Sequence, residues 1–555
     1  MKASNVSNNI NRYLFPNFRV FSLHSCAHVS MFLVRLLLPL MSLCLVSTIY
    51  LYLYPAFHLC QFPAPSHGQV APFRLLAFGD PQLEGDTSLP FAPNSEIPDI
   101  QILVKYLRDR DLQSLARDIH GAVKFSVDYL WYQVQYARKH VDLLGNDYYL
   151  AHIFRTLHWW LYPTHITVLG DLVGSQWIKD EEFERRSWRY WNRVFAGAQK
   201  VSDAKLNPNE TGQYSIKSEI LGADHEWRNR VINIPGNHDI GYAGDVNEDR
   251  IVRFEREFGP INGDIIFTLP RNDTEDAKSA QTPSIRLILL NTMTLDGPAY
   301  SYDLQLSTID FVNAAMTHAA HVESHDTALI LLTHIPLHKE PGVCVDEPLF
   351  TYYDEDHGGG IKEQNFLSPH TSKDAILQGV FGMHSSIEAA ARGMGRDGLI
   401  LTGHDHEGCD IYHFVDRTNG AWHAQRWLNT STPALVSNED QPGVREVTVR
   451  SMMGEFGGNA ALVAAWWDEE RERWFIEVSN CRLGVQHVWW AIHVLDFVTF
   501  VFSFLTLLTY VVAKFWEGLR SWTGKKDRKT QKSDNRAKTA VRRRLPVVRK
   551  KNLKP

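Results

Sequence analysis

Five short apolar runs in this chain each end in a residue type that binds metal ions. They are Leu75-Leu76-Ala77-Phe78-Gly79-Asp80, Thr167-Val168-Leu169-Gly170-Asp171, Val231-Ile232-Asn233-Ile234-Pro235-Gly236-Asn237-His238-Asp239, Ile330-Leu331-Leu332-Thr333-His334 and Leu401-Thr402-Gly403-His404-Asp405-His406. Each reads as a buried strand that stops, turns at glycine or a small residue, and presents a carboxylate, an amide or an imidazole. In open α/β sheets, ligands collect beyond the carboxyl ends of the strands. Asp, Asn and His together suit divalent ions between hard and borderline. The pattern predicts an α/β fold carrying a two-metal hydrolytic site.

Charge is spread unevenly around those runs. The formal net charge of −6 over 555 residues hides a segment from Lys514 to Pro555 with 16 Lys/Arg and 3 Asp/Glu. The remainder is strongly acidic, which argues against nucleic acid as a partner. Leu36 to Ala56 is nearly free of charge and about long enough to span a bilayer; Val488 to Ala513 is a second such run, interrupted by His493 and Asp496. Lys2, Arg12, Arg19 and Arg35 precede the first span and the basic tail follows the second. Basic residues flank the cytosolic side of a span, so both termini are expected in the cytosol and the body in the secretory lumen. The expected organisation is a cytosolic segment 1–35, a span 36–56, a linker 57–72, a lumenal domain 73–484, a span 488–513 and a basic cytosolic tail 514–555.

Three sequons, at Asn209, Asn272 and Asn429, fall in the expected lumenal body. Cys60, Cys344, Cys409 and Cys481 would share that oxidising compartment, and four cysteines allow three full pairings. Residues 86–100 look like a loop, 101–160 are mainly helical in pattern, and Asp180 to Phe195 reads as an amphipathic helix. Residues 202–228 are expected to be a surface excursion. A further strand, Ile285 to Asn291, ends near Asp296. Residues 340–375, with Gly358-Gly359-Gly360, suit a loop at the site mouth. Glu446 to Ser451 and Ala461 to Trp467 are expected to close a second sheet, with Arg473 to Val478 continuing it.

A binuclear site needs a carboxylate to bridge two cations about 3.5–4 Å apart, with separate ligands for each. Asp171 is the natural bridge. Asp80 and His406 would complete one metal, and Asn237, His334 and His404 the other. In an extended Gly403-His404-Asp405-His406 turn the two imidazoles reach different metals while Asp405 points elsewhere. His238 is placed to donate a proton to a leaving oxygen, with Asp239 as its orienting partner. Water activated between the cations would be the nucleophile, and a phosphoryl group suits the arrangement.

The set Gly79-Asp80-Pro81-Gln82, Gly170-Asp171, Gly236-Asn237-His238-Asp239, Thr333-His334 and Gly403-His404-Asp405-His406 resembles the calcineurin-like metallophosphoesterase superfamily, over roughly residues 73–480. Gly79 to Asp86 and Gly170 to Trp177 resemble a narrower branch, the fungal and animal phosphoesterases that remodel the glycan of glycosylphosphatidylinositol (GPI) anchors. That resemblance implies a four-layer α/β/β/α sandwich flanked by transmembrane helices, with manganese as the metal. Zinc and iron are also compatible with the donor types. It implies removal of ethanolamine phosphate from a mannose of the GPI glycan, in the endoplasmic reticulum or cycling to the Golgi, with GPI-anchored proteins as substrates and cargo receptors as partners. Gln82 stands where the superfamily has a histidine ligand, which places a weaker donor in the metal set. Gly174-Ser175 stand where its protein phosphatases have Asp-Arg, which removes a phosphate-gripping Arg. Arg253 and Arg256 read as a solvated helix face rather than as a replacement grip. His357, beside Gly358, is a candidate for substrate contact; His338 and His384 have no such context. Lys550-Lys551 and Lys554 resemble a dilysine retrieval signal, with Leu553 in place of one lysine. A phosphodiesterase of another lumenal substrate, and a non-catalytic manganese-sensing or cargo-binding scaffold, are the competing readings.

Overall fold

The structure, a computed structural model, describes residues 23–65, 68–93, 100–206, 214–270, 282–344, 350–427, 441–484 and 486–542. The three sequon asparagines and the lysines at 550–554 lie outside the described residues. Contacts divide the chain into a body, Tyr52–Trp489, and a second unit made of the terminal segments.

The body is built on two sheets. The first runs, edge to edge, Arg473–Arg482, Asn459–Asp468, Phe73–Phe78, His165–Val168, Arg230–Asn233, Gln199–Lys200. The second runs Trp422–Arg426, Cys409–Val415, Gly443–Thr448, Gly398–Thr402, Thr327–Leu332, Ser284–Leu289, Gly263–Thr268, Lys217–Ile220. The central strands of both are parallel, and parallel strands are covered on both faces, which is why they read as unbroken apolar runs. Along Phe73–Phe78 the alternation splits the side chains between two layers. Phe73, Leu75 and Ala77 join one core shared by both sheets, together with Ile285, Leu287, Ile330, Leu401 and Val463. Phe78 faces outward onto Phe154 and Phe195. Those two come from the buried end of helix Leu112–Leu161 and from the turn after helix Asp180–Arg189. On the other side the Arg286 guanidinium reaches the Ala315 carbonyl of helix Tyr302–Thr317. The body is thus a four-layer α/β/β/α sandwich.

Two expectations are corrected. Asn459–Asp468 and Arg473–Arg482 extend the first sheet, not the second: Phe73 pairs with Ala465 and Ala77 with Ala461, antiparallel. Period-two patterning makes a strand without naming its neighbour, and the small Ala461, Ala464 and Ala465, all fully buried, fit the crowded slot between a parallel sheet and its outer hairpin. Within the expected excursion 202–228, Lys217–Ile220 is an edge strand of the second sheet, half-buried on alternate residues. The glycine-rich insertion carries a hairpin, Phe350–Tyr352 with Ile361–Gln364, rather than a plain loop.

Cys60 pairs with Cys481 and Cys344 with Cys409. In the second unit, the helices Leu23–Tyr52 and Gln486–Arg542 are both long and apolar enough to cross a membrane, over Phe32–Tyr52 and Gln486–Leu519. There the Thr48 hydroxyl donates to Asp496 (2.8 Å). The first helix ends before Pro55, whose ring restricts the preceding residue, and a short turn Tyr54–Phe57 follows. The second helix continues into the basic segment as far as Arg542.

Candidate metal centre

Strand register lines up the predicted ligands. Phe78 pairs with Val168 and Val168 with Asn233, so Asp80, Asp171 and Asn237 leave the same end of the first sheet. Leu332 pairs with Leu401, which brings His334 level with the turn that bears His404 and His406. A bridge between Gly79 and Ser451 fastens the two ends together. Four of the site residues have backbones in the left-handed region: Asp80 (φ 45°), Gln82 (40°), Asp171 (52°) and His404 (72°). Such a conformation is uncommon outside glycine, and clusters of it mark functional sites. The His404 turn is therefore tight rather than extended, with the Asp405 amide bonded back to the Gly403 carbonyl.

Small residues make the approach possible. A Cβ on Gly170 would stand 2.1 Å from His334 Nδ1, and one on Gly236 would stand 2.2 Å from Asp171 Oδ1. Only glycine lets these turns close on the ligands.

The side chains converge as two clusters that share Asp171. Ligand atoms of Asp171, His334 and His404 lie within 4.8 Å of one another, as do those of Asp80, Asp171 and His406. Asn237 Oδ1 sits 3.1 Å from His334 Nε2 and 3.0 Å from His404 Nδ1, inside the first cluster. His334 Nδ1 is 2.6 Å from the Leu169 carbonyl, so that nitrogen carries the proton and Nε2 is left as the donor atom. Asp80 Oδ1 accepts the His404 amide (3.0 Å), whereas its Oδ2 is buried with no hydrogen-bond partner. A buried carboxylate oxygen without a partner is costly, and a cation in the second cluster would satisfy it. The donor set and this orphaned oxygen both fit two divalent ions.

Electrostatics agree. Burial would raise the Asp171 carboxyl, but the facing His334, His238 and His404 hold it down at about 2. Asp80 is raised well above the usual carboxylate range by burial and by Asp171, a repulsion that bound cations remove. Burial lowers all three imidazoles, His404 to about 3. That lowering favours the unprotonated rings, whose lone pairs a metal can take.

Gln82 lies at this centre with its amide nitrogen 3.0 Å from both Asp171 Oδ2 and His406 Nε2. In this orientation it donates to the ligands; a half-turn of the amide would be needed to offer its oxygen to a metal. His238 stands at the cleft with its ring more than a third exposed, Nε2 3.9 Å from Asp171 Oδ2, while its backbone amide donates to Asp171 Oδ1 (2.9 Å).

Asp239 does not orient His238. It is fully buried, and its carboxylate accepts the amides of Val173 (2.9 Å), Gly236 (2.8 Å) and Leu172 (3.2 Å). It ties the Asp171 turn to the Asn237 turn, because neighbouring residues at the start of a helical turn point apart. Arg253 is not on a solvated face: it is buried, donates to the carbonyls of Ile178 and Gln176, and stacks over Phe183. Arg256 is a surface residue paired with Glu257 and Glu184. His357 is exposed and is not among the residues lining the cleft; His338 packs on Phe366, and His384 caps the amide of Ser386. The cleft, about 330 Å³, is also lined by Tyr242, Asn365, Asp405 and Glu407. The sequence offered one signal for Tyr242, its place three residues beyond Asp239, and none for Asn365, which the hairpin brings in from afar. Asp296 holds that hairpin by accepting from Gln364 (2.6 Å) and Ser368 (2.8 Å).

No family model matches the chain. It is 31% identical over 515 residues to Protein TED1 of Saccharomyces cerevisiae, spanning 84% of this chain and 96% of that protein. An uncharacterised protein of Schizosaccharomyces pombe is 26% identical over 383 residues, 64% of this chain and 78% of its own length. Metallophosphoesterase 1 of Danio rerio is 19% identical over 309 residues, 53% of this chain and 66% of that protein. Taken with the sandwich and the twin ligand clusters, these likenesses show that the chain belongs to the calcineurin-like metallophosphoesterase superfamily of metal-dependent phosphoesterases, in its branch of the fungal GPI-remodelling type.

Proposed function

We propose that the protein is a membrane-anchored phosphodiesterase that removes ethanolamine phosphate from a mannose of the GPI glycan, in the lumen of the endoplasmic reticulum, and so promotes the exit of GPI-anchored proteins with their cargo receptors. The observation that carries the reaction class is the single carboxylate, Asp171, shared by two donor clusters beneath an exposed imidazole. Two cations, manganese by the family resemblance, would supply neutralisation of phosphoryl charge and activation of water. Asp80, Asp171 and His406 would hold one; Asp171, Asn237, His334 and His404 the other. The rest falls to the chain's own groups. His238 protonates the leaving sugar oxygen from the solvent side. The Asp239 carboxylate keeps the Asp171 and Asn237 turns in mutual register. Tyr242, buried beside His404, walls one side of the cleft.

Two features support a zwitterionic diester. Among the described residues lining the cleft there is no Lys or Arg, which suits the single charge of a diester better than a monoester dianion. Asp405 gives the rim a carboxylate complementary to an ammonium group, beside Glu407, whose own carboxylate is paired with Arg450. Lumenal placement is supported by the two disulfides, which persist in oxidising compartments, and by the basic flanks of the apolar helices.

Mass spectrometry of GPI glycans from cells lacking the protein tests the substrate. Accumulated ethanolamine phosphate on one mannose is the expected result; unchanged glycans would assign the same chemistry to another lumenal diester.

A further inference from the structure

The long helix Leu112–Leu161 is buried only from Gly145 onward. Its earlier part carries a continuous exposed apolar row: Ile119 47%, Val123 58%, Val127 61%, Leu130 66%, Val134 49% and Val141 57% exposed. The spacing of three, four and seven puts them on one face. With Leu144 and Tyr148 the row runs about 45 Å along the helix. A helix face this apolar in a folded protein marks a surface that something covers.

Where the row leads shows what covers it. Four residues beyond Tyr148, on the same face, His152 meets the ring of Tyr52 edge-on at 4.9 Å. Tyr52 is the last residue of the first membrane-length helix. One residue past Tyr148, the Tyr149 hydroxyl donates to the Gly484 carbonyl (2.6 Å) and its ring lies 6.1 Å from Trp489, just inside the second such helix. The exposed row therefore starts, within the body, beside Tyr52 and Trp489, the two residues at which the chain passes into the apolar helices. The edges of the row favour lipid over a second copy of the chain. Coiled-coil partners place opposite charges along these edges, but here one edge carries Ser126, Gln133 and His140 and the other Lys124, Trp131, Arg138 and Gly145, and the one carboxylate in line with them, Asp147, is buried against Arg189 and Arg193 of the same body. Trp131 is 63% exposed. Tryptophan and arginine beside an apolar row are the residues that settle at the headgroup layer.

We propose that this helix face lies in the interfacial layer of the membrane entered by the two apolar helices, and that it holds the metal-bearing body down on the bilayer, where lipid-linked diesters are presented. The inference needs those helices to be embedded; it does not depend on which diester is cleaved.

The test uses the full chain in nanodiscs of phosphatidylcholine and phosphatidylinositol, in a parent carrying Cys26→Ser and Cys44→Ser. A fluorophore is placed at Leu130→Cys or, on the opposite face, at Asp128→Cys. Phospholipid with a nitroxide high on its acyl chain is expected to quench the label at 130 about fivefold more than the label at 128. Equal quenching at the two positions would overturn the proposal. So would an unquenched label at 130 together with disulfide-linked dimers of Leu130→Cys, which would give the face to a second copy. The double variant Leu130→Glu/Val134→Glu is expected to lower turnover of a vesicle-embedded lipid-linked diester about fivefold while leaving bis(p-nitrophenyl) phosphate turnover unchanged. Equal loss on both substrates would refute a membrane-positioning role. Quenching is read without catalysis, so its result stands apart from any failure of the substrate assignment.

Discussion

At the scale of single residues, His238 and Asp171 carry separable burdens. His238 is a third exposed and holds no place in either donor cluster, so His238→Ala is expected to keep its metal while turnover falls about 10²–10⁴-fold, the scale of a lost general acid. Metal analysis of the purified variant beside a diester assay checks both halves. Asp171 is shared, so Asp171→Ala should empty both positions, whereas His406→Ala should remove one ion and leave the cluster of Asp171, Asn237, His334 and His404. Native mass spectrometry counts the ions; two ions retained by Asp171→Ala would refute the bridge. The candidate ligands are legible in the sequence because each follows an apolar strand, and the structure brings them into two clusters. Asp239 was misread because adjacency in sequence implied adjacency of side chains. Its carboxylate instead turns inward to three amides.

At the scale of elements, strand His165–Val168 begins with a buried imidazole among Phe73, Trp227 and Phe267. Burial, helped by Arg74, lowers His165 to about 3. A lowered histidine contributes stability that is complete above the unfolded value near 6.5 and is lost as pH falls below it, because only the unfolded chain takes up the proton. From pH 7 to pH 5 this single residue is expected to cost about 2 kcal/mol. Denaturant titration of wild type and His165→Phe at both values checks it: the variant should lose correspondingly less. The strands themselves were legible, but not their sheet. Asn459–Asp468 could pair with any free edge by pattern alone, and the edge beside Phe73–Phe78 was decided by which face needed cover.

At the scale of the whole molecule, two sheets contribute candidate ligands to one centre, so bound cations would link the halves of the sandwich. Asp80, Asp171 and Asn237 come from one sheet, His334, His404 and His406 from the other. Binding only to the folded state stabilises it by mass action, about 2.7 kcal/mol at a free metal concentration a hundredfold above Kd. Chelation is therefore expected to lower the melting temperature of the detergent-solubilised chain, and manganese to restore it. A melting curve indifferent to chelator would contradict the shared centre.

The order of ligand types after apolar strands was enough to identify the superfamily, the two-metal chemistry and the sandwich, because strand ends and their glycine turns are local matters. The two membrane-length runs were equally plain, since length and lack of charge are read residue by residue. Only the folded chain decided that Asp171 belongs to both clusters, that Arg253 is a buried strut, that Cys60 joins Cys481, and that Tyr242 and Asn365 wall the cleft. Each of these depends on which distant segment packs alongside, and packing is settled by the shape of the whole core rather than by any one stretch of sequence.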